Sequence, residues 1–144
     1  MTKTGKIVQE LLSDIENKTI LEAACGSAEF SIAASAYASE VFAVDLVDFR
    51  LHKEKIKSNV HFEIMDVSKM TYANESFDTV FIYNAFSHIK DQWKDIEREC
   101  RRVLKPQGKL YVISSWKIDT SLFEAEFGDK VQHCGDFFIV ALKK

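Results

Sequence analysis

Short apolar runs alternate with segments of helical spacing along most of this chain. The runs cover residues 19–24, 41–44, 60–65, 77–83 and 109–114. Between them, residues 28–38 and 91–104 carry apolar side chains at helical spacing. Alternation of strands and helices predicts a mostly parallel sheet with helices on both faces. Apolar runs without strict alternation suit strands that are buried on both sides.

The remaining segments complete this α/β prediction. Residues 4–16 predict an amphipathic helix, residues 48–57 a charged helix, and residues 119–127 a short helix. A turn is predicted at 106–108. Gly135-Asp136 separates two β-type runs, 130–134 and 137–142, which predicts a closing hairpin at an antiparallel edge of the sheet.

Composition narrows the class of protein. The 144 residues favour one domain over 1–144, and the formal net charge of −3 gives no basic footprint for nucleic acid, so we expect no nucleic-acid partner. The three cysteines are scattered, with no pair at metal-ligand spacing, so we predict no metal site. With no secretory signal and no run of about 18 apolar residues, we expect a cytoplasmic protein without a membrane partner.

Acidic residues follow three of the predicted strands, at Glu22, Asp45 and Asp66. In a parallel sheet of this kind, ligands bind outside the carboxyl ends of the strands. Asp45 lies about twenty residues past the first turn, where nucleotide-binding folds place an acid that accepts hydrogen bonds from ribose hydroxyls. The alternative is an Asp that caps the next helix.

Asp66 and Glu22 can likewise each be explained by a ligand-binding role or by a structural role. Asp66 could accept a hydrogen bond from an amino group on a base edge while Val67 offers its N–H, or it could form an ordinary Asp turn. Glu22 could meet the cationic end of a ligand directly, through water or by ordering the loop that follows. It could equally be a structural acid satisfied by that loop.

The loop after Glu22 is built of small residues, which lets a ligand approach its backbone. The segment EAACGSA at 22–28 resembles the first motif of class I S-adenosylmethionine-dependent methyltransferases, which is usually richer in glycine. MDV at 65–67, ESFDTV at 75–80, NAFSHI at 84–89 and RVLKPQGKL at 102–110 follow in the order and spacing of the methyltransferase type 11 group.

This resemblance implies a Rossmann-like class I methyltransferase sandwich with seven strands, S-adenosyl-L-methionine as cofactor, and methyl transfer. The cofactor supplies an activated methyl group, so the protein has to align an acceptor in line with the S–CH3 bond, without a covalent intermediate. The acceptor, a small molecule or a protein, is not identified by the sequence.

The resemblance also assigns roles by position. The methionine end of the cofactor would be lined by Glu22, Ala23, Ala24, Cys25, Gly26 and Ala28. Asp45 with Leu46 would hold the ribose and flank the adenine, and Asp66 with Val67 would take the adenine edge. Asn84 and Ala85 would face the methyl group. His88 is the candidate base or orienting residue, and the alternative for it is a plain wall position.

Two departures from the pattern leave alternatives open. Ala24 and Ala28 replace glycines, which costs about 1–2 kcal/mol at each position that needs a left-handed conformation. Residues 115–136 leave little chain for a lid, so we expect an open site that takes a large substrate or is completed by another chain, including a second copy in a homodimer. A non-catalytic cofactor-binding module that acts through a protein partner is the second hypothesis. A nicotinamide-dependent oxidoreductase is a weaker third.

Overall fold

The computed structural model describes all 144 residues and contains seven strands and five α-helices. The strands are β1 (Thr19–Ala23), β2 (Glu40–Asp45), β3 (Val60–Ile64), β4 (Phe77–Tyr83), β5 (Leu104–Ser114), β6 (Gln132–Cys134) and β7 (Phe137–Lys143). The helices are α1 (Lys3–Glu10), α2 (Glu29–Ala34), α3 (Phe86–Ile89), α4 (Trp93–Val103) and α5 (Thr120–Phe127). The longest of them, α4, has 11 residues, and no helix is long and apolar enough to cross a bilayer.

One seven-stranded sheet joins all the strands in the order β3-β2-β1-β4-β5-β7-β6. Strands β1 to β5 are parallel, and β7 is antiparallel to both β5 and β6. The predicted Rossmann-like sheet with an antiparallel C-terminal edge hairpin is therefore confirmed. The strand order reverses between β1 and β4, and this switch point is where open α/β sheets place their ligands.

The sheet is buried on both faces, which explains the nearly continuous apolar runs. In β1, Ile20 belongs to a buried cluster with the side chains of α1 and α2, whereas Leu21 belongs to the cluster of α4 and α5. Because side chains alternate along a strand, Glu22 points to the same face as Ile20, toward α2. Burial on both faces thus forces one carboxyl group into the core.

The predicted helix over 48–57 is wrong. Only Lys53–Lys55 forms a single 3-10 turn in this segment. Its two inward-facing apolar residues, Leu51 and Ile56, lie five positions apart and pack against different clusters. Residues at that spacing do not share a helix face, so a helix here would have no apolar stripe to bury.

Two further helices are shorter than predicted because tertiary hydrogen bonds end them. The first helix stops at Glu10 rather than residue 16, and a 3-10 turn follows in which the Asp14 carbonyl accepts a 2.7 Å hydrogen bond from Thr79 Oγ1. Helix α2 stops at Ala34, and beyond it the Asn59 amide donates to the carbonyls of Ser35 and Ala38. Neither partner lies nearby in sequence.

The predicted turn at 106–108 interrupts β5 instead of preceding it. Phe77 pairs with Leu104 and Thr79 pairs with Lys109. The chain therefore advances by five residues along β5 where it advances by two along β4, and the extra residues of β5 form the turn. Gln107 takes a left-handed φ of 71° there. A Cβ on Gly108 would lie 2.8 Å from the Lys105 carbonyl oxygen and 3.0 Å from that of Asp78, so this position requires glycine.

We expect Gly108→Ala to lower the free energy of unfolding by about 1–3 kcal/mol, because the added methyl group must displace backbone rather than a flexible side chain. Urea unfolding at constant m value measures the change. Gln107→Ala is the matched control, since residue 107 is exposed and keeps its backbone conformation, and it should change stability by less than about 0.5 kcal/mol. Equal stability of the two variants would contradict this account of the turn.

Candidate active site

A cavity of about 520 Å3 opens at the carboxyl edge of the sheet, beside the switch point. The loops after β1, β2, β4 and β5 all contribute to its wall. Its lining residues are Glu22, Ala24, Cys25, Gly26, Ser27, Glu29, Asp45, Leu46, Val47, Phe49, Arg50, Tyr83, Asn84, Ala85, His88, Ile89 and Trp116. Most of the residues predicted from the sequence therefore converge on one cavity.

The loop between β1 and α2 is held by backbone hydrogen bonds to the end of β2. The Cys25 N–H donates to the Val44 carbonyl at 2.9 Å, and the Gly26 N–H donates to Asp45 Oδ2 at 2.7 Å. The Ala28 N–H closes the loop on the Cys25 carbonyl at 2.8 Å. These bonds fix the loop as the floor of the cavity.

Three residues of this loop have left-handed backbones: Ala24 at φ 57°, Gly26 at 56° and Ala28 at 64°. Both alanines therefore occupy the conformation in which an L residue costs about 1–2 kcal/mol more than glycine. Ala24 faces the cavity, whereas Ala28 is completely buried behind the loop and precedes the first turn of α2. The loop keeps the geometry of a glycine motif although two of its glycine positions hold alanine.

Asp45 joins the loop to the end of β2. Its Oδ2 accepts the Gly26 N–H, and its Oδ1 accepts the N–H of Leu46 at 2.7 Å. Both oxygens keep lone pairs available, because each carboxylate oxygen accepts more than one hydrogen bond. The side chain is half-buried at the cavity wall, where a ligand hydroxyl can reach it.

Glu22 is the buried acid of the site. Its Oε1 accepts hydrogen bonds from the N–H and the Oγ–H of Ser31, at 3.0 and 2.7 Å, which ties β1 to α2. Burial raises the pKa of Glu22 from its ordinary value of 4.5 to about 8, the Ser31 hydrogen bonds oppose the shift, and Asp45 and Glu29 add to it. Near neutral pH this carboxyl group is therefore largely protonated unless a cation approaches it.

Cys25 faces the same cavity but does not act as a nucleophile. Burial, reinforced by Glu22 and Asp45, strongly raises the pKa of the Cys25 thiol. A thiol becomes reactive only as the thiolate, which needs a lowered pKa or an adjacent base. Cys25 therefore contributes to the cavity as a small wall residue.

On the opposite wall, Asn84 connects the ends of β4 and β5. Its φ is 52°, its Oδ1 accepts the Ser115 N–H at 2.8 Å, and its Nδ2 donates to Ser115 Oγ at 3.1 Å. Ala85 is buried at the start of α3, and His88 is exposed on that helix. The His88 ring lies edge-on to Trp116, with 6.3 Å between the ring centroids.

Four predicted residues do not line the cavity. Ala23 and Ala28 are fully buried beneath the loop, and Val67 is buried next to Asp66. Asp66 lies past the end of β3, where its Oδ1 accepts the N–H of Ser68 at 2.9 Å and its hydroxyl at 2.7 Å. These bonds lower the pKa of Asp66. Their roles toward a ligand stay predictions.

The cavity also contains residues that the sequence analysis did not single out, among them Val47, Phe49, Arg50, Ile89 and Trp116. The rule that ligands meet the carboxyl ends of parallel strands could have found Trp116, which follows β5 by two residues. Phe49 and Arg50 fall in the segment wrongly predicted as a charged helix. That error concealed them.

Replacing Ala24 by Gly should raise the free energy of unfolding by about 0.5–1 kcal/mol. Glycine removes about 1–2 kcal/mol of left-handed strain from the folded state. Its greater freedom in the unfolded chain offsets about 0.4–1 kcal/mol of that gain. Urea denaturation measures it. The matched control is Ala33→Gly, at a half-buried position inside α2, where the same change should destabilise by about 1 kcal/mol. Destabilisation by both variants would contradict the strain argument.

The pKa of Glu22 predicts a pH dependence of stability. Between about pH 4.5 and 8 the folded chain binds more protons at Glu22 than the unfolded chain does, so the free energy of unfolding falls as pH rises through this window. Glu22→Gln removes the dependence and keeps an acceptor for Ser31. The free energy of unfolding of the variant, minus that of the wild type, should therefore increase as pH rises through this window, by an amount on the order of a few kcal/mol.

Chemical denaturation at about pH 5 and about pH 8 tests the Glu22 prediction. Glu126→Gln is the matched control, because Glu126 is an exposed carboxyl group on α5 and is not among the groups that shift the pKa of Glu22. Its pH profile should follow that of the wild type. Parallel profiles for the wild type and Glu22→Gln would show that the Glu22 carboxyl group is not held protonated by burial.

Comparison with known proteins places the fold and the site in a family. Residues 21–112 match the methyltransferase domain family. The chain is 31% identical over 100 residues to 27-O-demethylrifamycin SV methyltransferase of Amycolatopsis mediterranei, covering 63% of this chain and 36% of that protein. It is 27% identical over 125 residues to demethylmenaquinone methyltransferase of Thermotoga maritima, and the match covers 85% of this chain and 54% of that protein. The chain thus spans about half the length, or less, of these relatives.

Solved structures agree in fold. A SAM-dependent methyltransferase from Aquifex aeolicus superposes with a TM-score of 0.73 at 20% identity, covering 98% of this chain and 89% of that one. The PH0226 protein from Pyrococcus horikoshii superposes with a TM-score of 0.69 at 26% identity, and the match covers 94% of this chain and 71% of that one. The matched segment runs from β1 into β5 and includes the loop, Asp45 and Asn84. On this evidence the chain belongs to the methyltransferase domain family, whose members bind S-adenosylmethionine.

Proposed function

We propose that this chain is an S-adenosylmethionine-dependent methyltransferase that transfers the methyl group directly to its acceptor, without a covalent intermediate. The observation that carries the proposal is the convergence of the left-handed 24–28 loop, Asp45 and Asn84 on one cavity at the switch point of the sheet. Family membership agrees with it. The acceptor is proposed to be a small molecule or a protein.

The cavity fits the cofactor in size and charge. Its volume of about 520 Å3 falls within the range of about 300–1,000 Å3 that is usual for small-ligand sites. Carboxyl groups of Glu29 and Asp45 line it, against one guanidinium from Arg50, and the buried Glu22 carboxyl group can ionise where a cation approaches it. That balance favours a ligand with a sulfonium and an ammonium group. A Cβ on Gly26 would meet nothing within 4 Å, so the floor of the loop is open to a ligand.

The adenosine end would be held by the residues after β2 and β3. Asp45 offers its remaining lone pairs to a vicinal diol, and the 63% exposed Leu46 offers an apolar surface for a base. Asp66 uses only Oδ1 for Ser68, which leaves Oδ2 for an amino group on the base edge. Val67 would supply its N–H to the same edge.

At the methyl-donating end, this chain has to position groups rather than form bonds. The cofactor, when bound, supplies a methyl group already activated on sulfur. Asn84 and Ala85 form the wall there, and Asn84 is fixed by Ser115, so it shapes the approach of the acceptor. His88 would orient the acceptor or accept its proton.

The cavity has no lid from the segment between β5 and β7. Within residues 115–136, Trp116 alone lines the cavity, and helix α5 instead packs into the core through Phe123 and Phe127. We therefore propose that the mouth is covered by a large substrate or by another chain, such as a second copy. A monomer that methylates a small acceptor unaided would count against this part of the proposal.

Asp45→Asn should weaken binding of S-adenosylhomocysteine at least about tenfold, because the amide loses the charge and one of the two acceptors that hold Gly26 and the ligand diol. Calorimetric titration measures the dissociation constant. The matched control is Asp48→Asn, since Asp48 lies three residues on and pairs at the surface with Lys53 at 3.5 Å. It should bind as the wild type does. Equal affinities of the two variants would remove Asp45 from the site.

A further inference from the structure

One imidazole and two apolar side chains form the wall of the cavity next to Asn84 and Ala85. The carboxyl groups of Glu22 and Asp45 lie on the strands of the cofactor side, β1 and β2. The opposite wall is made by His88 and Ile89 of α3 and by Trp116 of the loop after β5. No lysine lines the cavity, and its one arginine, Arg50, follows β2.

The backbone of Trp116 is held by hydrogen bonds to Ser114 and Asp119. Its backbone N–H donates to Ser114 Oγ at 3.1 Å, and its carbonyl accepts the Asp119 N–H at 2.9 Å. The Ser114 hydroxyl donates in turn to Asp119 Oδ2 at 2.7 Å, and both of these side chains are buried. Ser115 is bound to Asn84 on the other side. These bonds hold the backbone of residues 114–119 in a tight turn that places Trp116 at the cavity wall.

Trp116 has a hydrogen-bonded backbone, whereas its ring stays partly uncovered at the cavity wall. The side chain is 41% exposed, whereas Trp93 is buried in an aromatic cluster. The Trp116 ring meets the ring of His88 edge-on. A partly exposed indole offers a large flat apolar surface and has only two side-chain torsions to order when a ligand stacks on it, as aromatic anchors of binding sites do.

The charges around this wall argue against strongly ionic acceptors. An anionic group would find Arg50 as its only strong cation, and the Arg50 guanidinium lies over the Phe49 ring, 5.5 Å from its centroid. A cationic group would have to reach Glu22, Glu29 or Asp45, which the proposed function assigns to the cofactor end. What remains on the acceptor side is one imidazole between two apolar side chains.

We propose that His88, Ile89 and Trp116 form the acceptor subsite, and that it takes a planar, largely apolar acceptor whose ring stacks on the Trp116 indole. His88 then lies where it can meet a polar substituent at the edge of that ring. This inference rests on the proposed function, because it places the acceptor next to the methyl-donating end of the cofactor.

The test uses the full chain labelled with fluorotryptophan, which gives one fluorine NMR signal for each of its two tryptophans. Trp116→Phe assigns the signals. With S-adenosylhomocysteine present, 2-naphthol should shift the Trp116 signal saturably and leave the Trp93 signal in place. Its saturated analogue decahydro-2-naphthol should bind about tenfold more weakly, because it cannot stack. An unmoved Trp116 signal, or equal binding of the two probes, would overturn the inference.

Trp116→Ala should weaken 2-naphthol binding at least about tenfold while the dissociation constant of S-adenosylhomocysteine changes by less than about twofold. The matched control is Ile118→Ala, because Ile118 is 83% exposed on the same loop but does not line the cavity. It should leave both affinities unchanged. Equal losses in the two variants would mean that the probe adsorbs to the exposed rim, which would overturn the subsite.

The titrations also separate this inference from the proposed function. If S-adenosylhomocysteine fails to bind the wild type, the proposed function fails, and the subsite that rests on it fails with it. If the cofactor product binds and 2-naphthol does not reach Trp116, the subsite fails and the proposed function stands.

Discussion

Two carboxyl groups at the edge of the sheet hold the loop on which this site depends. The Glu22 carboxyl group accepts hydrogen bonds from Ser31 in α2, and the Asp45 carboxyl group accepts one from the N–H of Gly26. Together they fix both ends of a short turn that runs through three left-handed residues. The rest of the cavity is arranged around this turn, because α2, β2 and the floor of the site all meet there.

These bonds also explain why the turn keeps its shape without its full set of glycines. A left-handed alanine is costly, and such strain persists only where the surroundings determine the conformation more strongly than the residue itself does. Gln107 takes the same left-handed conformation in the turn that interrupts β5. Around Ala24 and Ala28 the conformation is held by the hydrogen bonds of Cys25 to Val44, of Gly26 to Asp45 and of Ala28 to Cys25. Burial of Glu22 adds a second cost, which its hydrogen bonds with Ser31 offset in part.

Much of the fold could be predicted because it follows from local patterns. Strands buried on both sides show as apolar runs, and the acids after them mark the edge where ligands bind. The parts that failed depend on contacts distant in sequence. The Asn59 amide beyond the end of α2, the hydrogen bond from Thr79 to the Asp14 carbonyl and the split burial of Leu51 and Ile56 leave no periodic signal. The sign of φ at Ala24 and Ala28 is likewise fixed by the bonds of the whole loop.

Most of the cavity wall could be found from short motifs with recognisable spacing, which include the loop after β1, Asp45 and the segment from Asn84 to His88. Trp116 lies outside these motifs, and the backbone around it is held by buried hydrogen bonds among Ser114, Asp119 and Asn84. Such loops differ from one protein to another and carry specificity for that reason. The exposed apolar residues Phe49 and Ile118 also lie outside any motif, in the segments that follow β2 and β5.

The central claim is that a loop with two left-handed alanines still forms an S-adenosylmethionine site. Calorimetric titration of S-adenosylhomocysteine into the wild-type chain, with a thermal shift measured on the same sample, tests it most directly. The account predicts saturable binding to one site per chain and a rise in the unfolding temperature, as expected for a ligand that binds only the folded state. No heat and no thermal shift at millimolar ligand would contradict it.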